Sequence, residues 1–557
     1  MATVRELING FVWEHIEFCA SLVDKDGEDT VFHGIRVMDE ENKYVHGALI
    51  NATAQLYIHY AKENDARAAI TLERLEKFIS FVTEGICQHW AKLAILRALG
   101  SLKDAGLLER LKPATLEILK EKTEYTDFFD KEALVVLGGY PTNYMQVAMA
   151  CAGFREMLGF ENDGYCEKIL QKLLSIMDTG AIDGWMDEQP PFGRFDRYSM
   201  IVSSEISDTL DAVHKDVPEI TLKNLREIAK ICVFMANEKG DGINYGRSLS
   251  CHGDGACVEA IASAFSRGLI DESDKELALA YSVKIIEKIL GFWFNREKRS
   301  FDIWWNGRST NRYRHLQRVL EVNLDMSIHL ITTLKNFEKA GLAHVEPSAA
   351  IPKPNNWVAR TVHYINDANK KSQTVILRKG DTMAMLPLIG LGSHLHLAAY
   401  QPYPAICNIL EGAPEAKMPF LVPEYTLADG TRARPIQHYT NVTKSSADGC
   451  VQITAYGQLC NMADRYAKPL NNTFKTVYTF KGNQIRVSFE TDADVKITEM
   501  VVGLHSDSYS IQPIGFEQSE AMETDGVFDF MTPHGPIVKA QRVTTTGGKS
   551  VGYTVSL

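Results

Sequence analysis

The feature that most constrains this chain is a change of hydrophobic period near its middle. Up to about residue 345, apolar side chains recur at three- and four-residue intervals, the spacing of one helix face. Residues 71–98, TLERLEKFISFVTEGICQHWAKLAILRA, and 275–294, KELALAYSVKIIEKILGFWF, carry it most plainly. Beyond about residue 357 the period becomes two. Residues 473–490, TFKTVYTFKGNQIRVSFE, alternate apolar and polar side chains around Lys481-Gly482-Asn483, an antiparallel hairpin pattern. Between the two regimes lies HVEPSAAIPKPNN, residues 344–356, with three prolines. Proline lacks a backbone donor and restricts its predecessor, so neither helix nor strand runs easily through such a segment.

At 557 residues the chain exceeds what one hydrophobic core usually serves. The expected organisation is a helical domain over 1–345, a linker over 346–356 and an antiparallel β-sheet domain over 357–557. Breaks at Gly100–Asp104, Gly138–Thr142, Asn162–Gly164, Gly180–Gly184 and Gly240–Gly242 separate the helices. Helices joined by short loops become antiparallel neighbours, and a long series can form a bundle, a solenoid or a toroid. No tight repeat is visible, which disfavours a solenoid. Further strand-like runs are 373–377, 451–454, 495–502 and 551–557. Strands and helices do not alternate, which points to an antiparallel sandwich.

Charge narrows the partners. With 71 acidic against 59 basic residues the net charge is −12, which argues against a general nucleic-acid binder but leaves room for a small anionic substrate. No window of about 18 uncharged apolar residues predicts a membrane span. The N-terminal stretch carries Arg5, Glu6 and Glu14 and lacks a signal-peptide core, so a cytoplasmic location is expected. The ten cysteines show no CxxC or zinc spacing, so reduced thiols and no metal are expected. Without a P-loop, a GxSxG or a strand-borne GxGxxG, no cofactor is expected either.

Four stretches in the helical half hold more polar and aromatic residues than helix packing needs. In Gly139–Tyr144, Thr142 is a plausible N-cap and places Asn143 in a first helical turn, where its amide and the free N–H groups could receive a carboxylate. A plain capping turn reads equally well. Asp183-Gly184-Trp185 through Arg194, Arg197 and Tyr198 is the densest constellation. Arg194 and Tyr198 lie one turn apart if helical, and nearby arginines stabilise a phenolate; the alternative is a solvated loop with an Arg–Asp pair. In the third stretch, Arg247 precedes Cys251-His252-Gly253, where His252 suits acid, base or charge-neutralising work, or merely caps a helix. In the fourth, Trp304 and Trp305 suit stacking on sugar faces, or form an ordinary core-and-surface pair. His394 and His396 alternate in a strand-like run and could face the helical half together.

A helical toroid followed by an antiparallel β domain resembles the (α/α)-toroid polysaccharide lyases, the heparinase, alginate and chondroitin lyase group. Thr142-Asn143-Tyr144 is similar to their Asn-bearing motif, and Asp183-Gly184 through Tyr198 to their Tyr-bearing one, although no His precedes this Tyr as one often does there. The resemblance implies an N-terminal toroid, an incomplete helical barrel, followed by a C-terminal antiparallel β-sandwich. It also implies β-elimination from a uronate-containing oligosaccharide. Asn143, Arg194, Tyr198 and His252 would be catalytic; Tyr144, Trp185, Arg197, Arg247, Trp304, Trp305, His394 and His396 would bind substrate. Asp183-Gly184-Trp185 and Gly246-Arg247-Ser248-Leu249 also resemble the DUF2264 proteins, some of which are glucuronidases. That keeps a hydrolase open, with Asp187, Glu188, Asp196 and Glu205 as candidate carboxylates, and behind it a non-catalytic carbohydrate-binding protein. A homo-oligomer is compatible with every one of these readings.

Overall fold

A computed structural model describes residues 2–38, 44–82, 88–139, 142–184, 197–243, 250–306, 308, 315–367, 370–388, 405–406, 419–461, 468–523, 531–532 and 534–557. Among the described residues thirteen α-helices lie in the first part: α1 (Val4–Asn9), α2 (Val12–Asp26), α3 (Val45–Lys62), α4 (Arg67–Phe81), α5 (His89–Asp104), α6 (Pro113–Lys122), α7 (Thr142–Leu158), α8 (Tyr165–Gly180), α9 (Arg197–Ala212), α10 (Glu219–Phe234), α11 (Cys251–Phe265), α12 (Lys275–Lys288) and α13 (Val319–Lys339).

The helices sort into two layers by their side chains. On α8 only one stripe is buried, Cys166, Ile169, Leu170, Leu173 and Met177, as expected of an outer helix with one wet face. On α11 every residue is buried, and on α3 nearly every one is, so both are covered on all sides. Accordingly α3 packs on α5, α5 on α7, α7 on α9, α9 on α11, α11 on α13, and α13 returns to α3. Helices α2, α4, α6, α8, α10 and α12 alternate with these in sequence and form the outer layer. The expected toroid is present, and its inner layer is complete.

Two sequence readings change in detail. Residues 71–98 contain parts of two helices, the outer α4 and the inner α5. Gly100–Asp104 is no break; it is the last turn of α5. A Cβ on Gly100 would fall 2.7 Å from the Phe154 ring, so this glycine serves the close approach of α5 to α7.

Beyond α13 the chain holds no helix or strand until Val358. One sheet then combines Val358–Asp367, Lys370–Lys379, Thr382–Leu388 and Ala405–Ile406; a second has eleven strands among the described residues. Within the second, Lys468–Lys481 pairs with Gln484–Thr491 in a register that puts Lys481 opposite Gln484, so Gly482 and Asn483 make the turn. The small sheet is buried on both faces. Ile376, Val362, Met383 and Met385 join the core of the toroid, whereas Val375, Leu377, Ala384 and Leu386 join the core of the large sheet. That explains why Thr374-Val-Ile-Leu reads as a continuous run rather than an alternation.

This sheet meets the toroid where the outer helices α8 and α10 end. Arg378 donates to the Phe234 carbonyl at 2.9 Å and Arg360 to the Lys230 carbonyl at 3.2 Å, satisfying the end of α10. His363 donates its backbone N–H to Asp183 at 2.8 Å, and its Nδ1 lies 2.9 Å from the same carboxylate oxygen. Inner and outer helices run antiparallel, so this end of the ring carries the N-termini of the inner helices. Among the described residues, no helix is long and apolar enough to cross a membrane.

Candidate active site

A cavity of 410 Å³ is lined by residues of all six inner helices, so it lies on the axis of the toroid. Along α5 its wall extends from Trp90 to Asp104, about 21 Å at about 1.5 Å per residue. Near the N-terminal ends of the inner helices the wall is aromatic. Tyr144 meets His89 edge-to-face with ring centres 4.8 Å apart, and Trp90 lies 6.3 Å from Tyr198.

Arg197 and Tyr198 open helix α9 and both line this collar. Arg197 donates to the Tyr198 hydroxyl at 3.2 Å and to the His252 carbonyl at 3.4 Å, with its guanidinium 4.6 Å from the Tyr198 ring centre. Burial works against the charge of Arg197, but Tyr198, Asp325 and Glu259 outweigh it and hold the group above its usual range. A permanent cation against a tyrosine hydroxyl favours the phenolate form.

Asn143 is the second residue of α7, in its first turn; the helix itself begins at Thr142, one residue earlier than an N-cap there would place it. The side chain is 2% exposed, and neither amide atom has a hydrogen-bond partner among the described residues. Gln146, one turn on, is 1% exposed with its Nε2 likewise unpartnered. A buried polar group left unpaired costs about 1–3 kcal/mol, so α7 carries unmet hydrogen-bonding capacity beside the collar. Asn143 itself does not line the cavity; its neighbour Tyr144 does.

His252, 1% exposed, lies behind the wall rather than on it, whereas Glu259 two turns along the same α11 lines the cavity. Its Nδ1 is 3.5 Å from Cys251 Sγ and its Nε2 is 3.5 Å from Asp325 Oδ2. Asp325 lies 3.4 Å from His329 Nε2, and His329 Nδ1 meets Glu259. Burial opposes a charge on His329, but Glu259 and Asp325 hold the imidazolium well above its usual range. Burial likewise opposes a charge on Asp325, yet the two histidines hold the carboxylate well below its usual range. A chain of ionisable groups thus runs from His252, behind the wall, through Asp325 and His329 to Glu259 on it.

Deeper in, Glu205 is paired with Arg97. Asp208 accepts from Ser263 at 2.9 Å and Asn336 at 3.1 Å and lies 3.0 Å from Arg267, yet burial raises its carboxyl above the ordinary value.

The structure therefore brings Tyr144, Arg197 and Tyr198 onto one wall, with Asn143 and His252 behind it. Trp304 and Trp305 do not line the cavity. Trp305 is stacked by the Lys298 ammonium at 4.0 Å and met by His33 at 5.3 Å, so its ring serves packing. Trp185, Arg194, Arg247, His394 and His396, with Asp187, Glu188 and Asp196, lie outside the described residues. Asp208, Glu259, Asp325 and His329 were not singled out from the sequence. A signal existed: Glu321, Asp325 and His329 recur every four residues on the otherwise apolar α13, which places them on one face. Among the described residues no His, Cys, Asp or Glu group is arranged to hold a metal ion.

No family model matches the chain, and no curated protein matches its sequence. Among solved structures, it is similar to a chain described as a possible member of the GH105 family from Klebsiella pneumoniae subsp. pneumoniae MGH 78578. The two share 10% identity at a TM-score of 0.37, over 60% of this chain and 93% of that one. The chemistry is read from the geometry of the site itself.

Proposed function

We propose that this protein is a carbohydrate-active enzyme that cleaves uronate-containing oligosaccharides by β-elimination, with Tyr198 as the proton-transferring residue. The observation that carries the reading is the Arg197 guanidinium on the Tyr198 hydroxyl, at the wall of an axial cavity. The C5 proton of a uronate becomes removable when its carboxylate is neutralised and the developing enolate is met by hydrogen bonds. In this reading Arg197 supplies a fixed cation, Asn143 behind the wall has two unpartnered amide atoms that would serve a carboxylate reaching past Tyr144, and Arg194 and Arg247 are the further cations the reading calls for. The Tyr198 phenolate takes the C5 proton. The bond from C4 to the glycosidic oxygen breaks as the C4–C5 double bond forms, and the Tyr198 hydroxyl returns the proton to the leaving oxygen. Trp90 and Tyr144 offer ring faces and edges to the sugar, as Trp185 would. His252 acts through Asp325 and through the carbonyl that receives Arg197, as a positioning residue. Trp304 and Trp305 have no part in it.

A second reading is hydrolysis between two carboxylates. The observation favouring it is that Asp208 and Asp325, both lining the cavity, are pushed in opposite directions, one towards the acid and one towards the carboxylate form. A panel of uronate oligosaccharides separates the two. Elimination yields new reducing ends together with the ultraviolet absorbance of an unsaturated uronate, and Tyr198→Phe removes both. Reducing ends without that absorbance, lost in Asp325→Asn and retained in Tyr198→Phe, would overturn the elimination. If neither product forms on any member, the chain is a binding protein.

A further inference from the structure

The axial cavity is long and narrow, and its two ends differ. At the collar the lining residues Tyr144, Arg197, Tyr198 and Glu321 are all buried. At the other end, where the inner helices finish, the lining includes Ser101 and Asp104 of α5, Asp211 of α9, and Thr332, Lys335 and Lys339 of α13, every one half-buried or exposed. Asp104 lines the cavity and also lies 3.3 Å from His214, a surface side chain that is 70% exposed, so the cavity reaches the surface here. The connections at this end, 63–66, 105–112, 159–164, 213–218 and 266–274, contribute no residue to the lining, so none of them caps it. The small sheet is seated at the opposite end, on α10 and Asp183. Ala94, Gly100 and Ser101 share the cavity face of α5, and their short side chains leave the passage open.

Most of the charge around this end is paired. Asp211 is held by Lys339 at 2.7 Å and by Arg267 at 2.6 Å, and Asp104 by His214. Lys335 differs. It is exposed, it donates to the neutral Oε1 of Gln55 at 2.8 Å, and no carboxylate lies at ion-pair distance from it among the described residues. A cation without a counterion at the neck of a channel attracts anions.

We infer that the axial cavity has a rear mouth, at the C-terminal ends of the inner helices, and that a small carboxylate-bearing sugar passes through it along Lys335, by a route separate from the collar. The volume of 410 Å³ lies within the usual range of about 300–1,000 Å³ for small-ligand sites. A passage of this shape admits a single sugar or a short fragment lying along the axis. The choice of a sugar acid rests on the proposed function, in which a fragment released beside Tyr198 leaves by the rear while the longer chain stays at the collar. The mouth itself does not rest on that reading.

The test places a thiol in the middle of the passage. Ala94→Cys in the full chain is treated with neutral methyl methanethiosulfonate and, separately, with its anionic ethylsulfonate analogue. Peptide mass mapping follows the introduced thiol apart from the native cysteines. It should react with both reagents, and a tryptophan at the mouth, Thr332→Trp or Ser101→Trp, should slow both by about tenfold or more, because a close-packed neck leaves no path. Lys335→Glu should lower the anionic rate relative to the neutral one by about tenfold, since the steering charge is reversed. D-Glucuronate should protect the introduced thiol better than D-glucose, and Lys335→Glu should abolish that difference. An unreactive thiol in folded Ala94→Cys, or rates that neither tryptophan changes in folded variants, would overturn the mouth. An anion preference unmoved by Lys335→Glu, or equal protection by the two sugars, would overturn the ligand class. None of these readouts needs turnover, so they hold or fail whether or not Tyr198→Phe abolishes uronate cleavage.

Discussion

The two halves of the molecule bury their interiors in opposite ways. The large sheet packs an apolar core, with Phe474, Tyr478, Phe480, Phe489 and Tyr553 filling it. The toroid also has an apolar layer, between its rings, but along its axis it sets the buried Glu259 and the half-buried Arg97, Glu205, Asp208, Asp325 and His329 around a cavity. A sandwich can close on side chains alone because its two faces meet. Six helices in a ring leave an axis that their side chains do not fill, and polar groups are tolerated there only when they pair. If the proposed function holds, the difference separates residues that mainly hold the fold, in the sheet core, from residues on the axis whose loss is felt in activity.

Four substitutions test that division. The largest effect is expected from Tyr198→Phe, which should lower kcat on a cleaved uronate oligosaccharide by about 10²–10⁴-fold with the unfolding midpoint unmoved; a comparable loss of stability would place Tyr198 on the structural side. Phe480→Ala, in the sheet core, should cost about 3–5 kcal/mol in denaturant unfolding of the β half, while the activity of the molecules that remain folded persists. Asp325→Asn should cost about 1–3 kcal/mol and lower activity as well, since it loosens His252 and His329 together.

The Asp325 variant also changes the pH profile of stability. The contribution of Asp325 is complete above its unfolded value of 3.8 and is lost as pH falls through its depressed folded value. That of His329 is complete below 6.5 and is lost as pH rises through its raised folded value. Thermal unfolding of Asp325→Asn should therefore vary less than the unmutated protein on both the acid and the alkaline side. The smallest effect belongs to the seam between the halves. His363→Ala removes a half-exposed pair with Asp183 and should cost only about 0.2–1 kcal/mol; a larger value would mean that the seam, and not each core alone, carries the stability of the small sheet.

Part of the candidate site was legible as residue types in local clusters. Tyr144, Arg197 and Tyr198 stood out as members of polar and aromatic clusters, and they line the cavity because inner-helix N-termini converge at one end of the ring. Asn143 was legible for the same reason. Trp304 and Trp305 lie off the cavity lining, and a tryptophan reads alike in sequence whether its face is free or, as for Trp305, covered by Lys298 and met by His33. His252 read either as a reacting group or as a helix cap, and the structure sets it behind the wall, 3.5 Å from Asp325.

What the sequence determined by itself was periodicity: apolar spacing is a property of neighbouring side chains, so the change from helix to sheet and the outer stripe on α8 follow from local order. Which polar residues share an axis was decided only when α13 closed the ring against α3. That closure sets Lys335 against Gln55, 280 residues away in the chain, and no local spacing records a contact between residues so far apart.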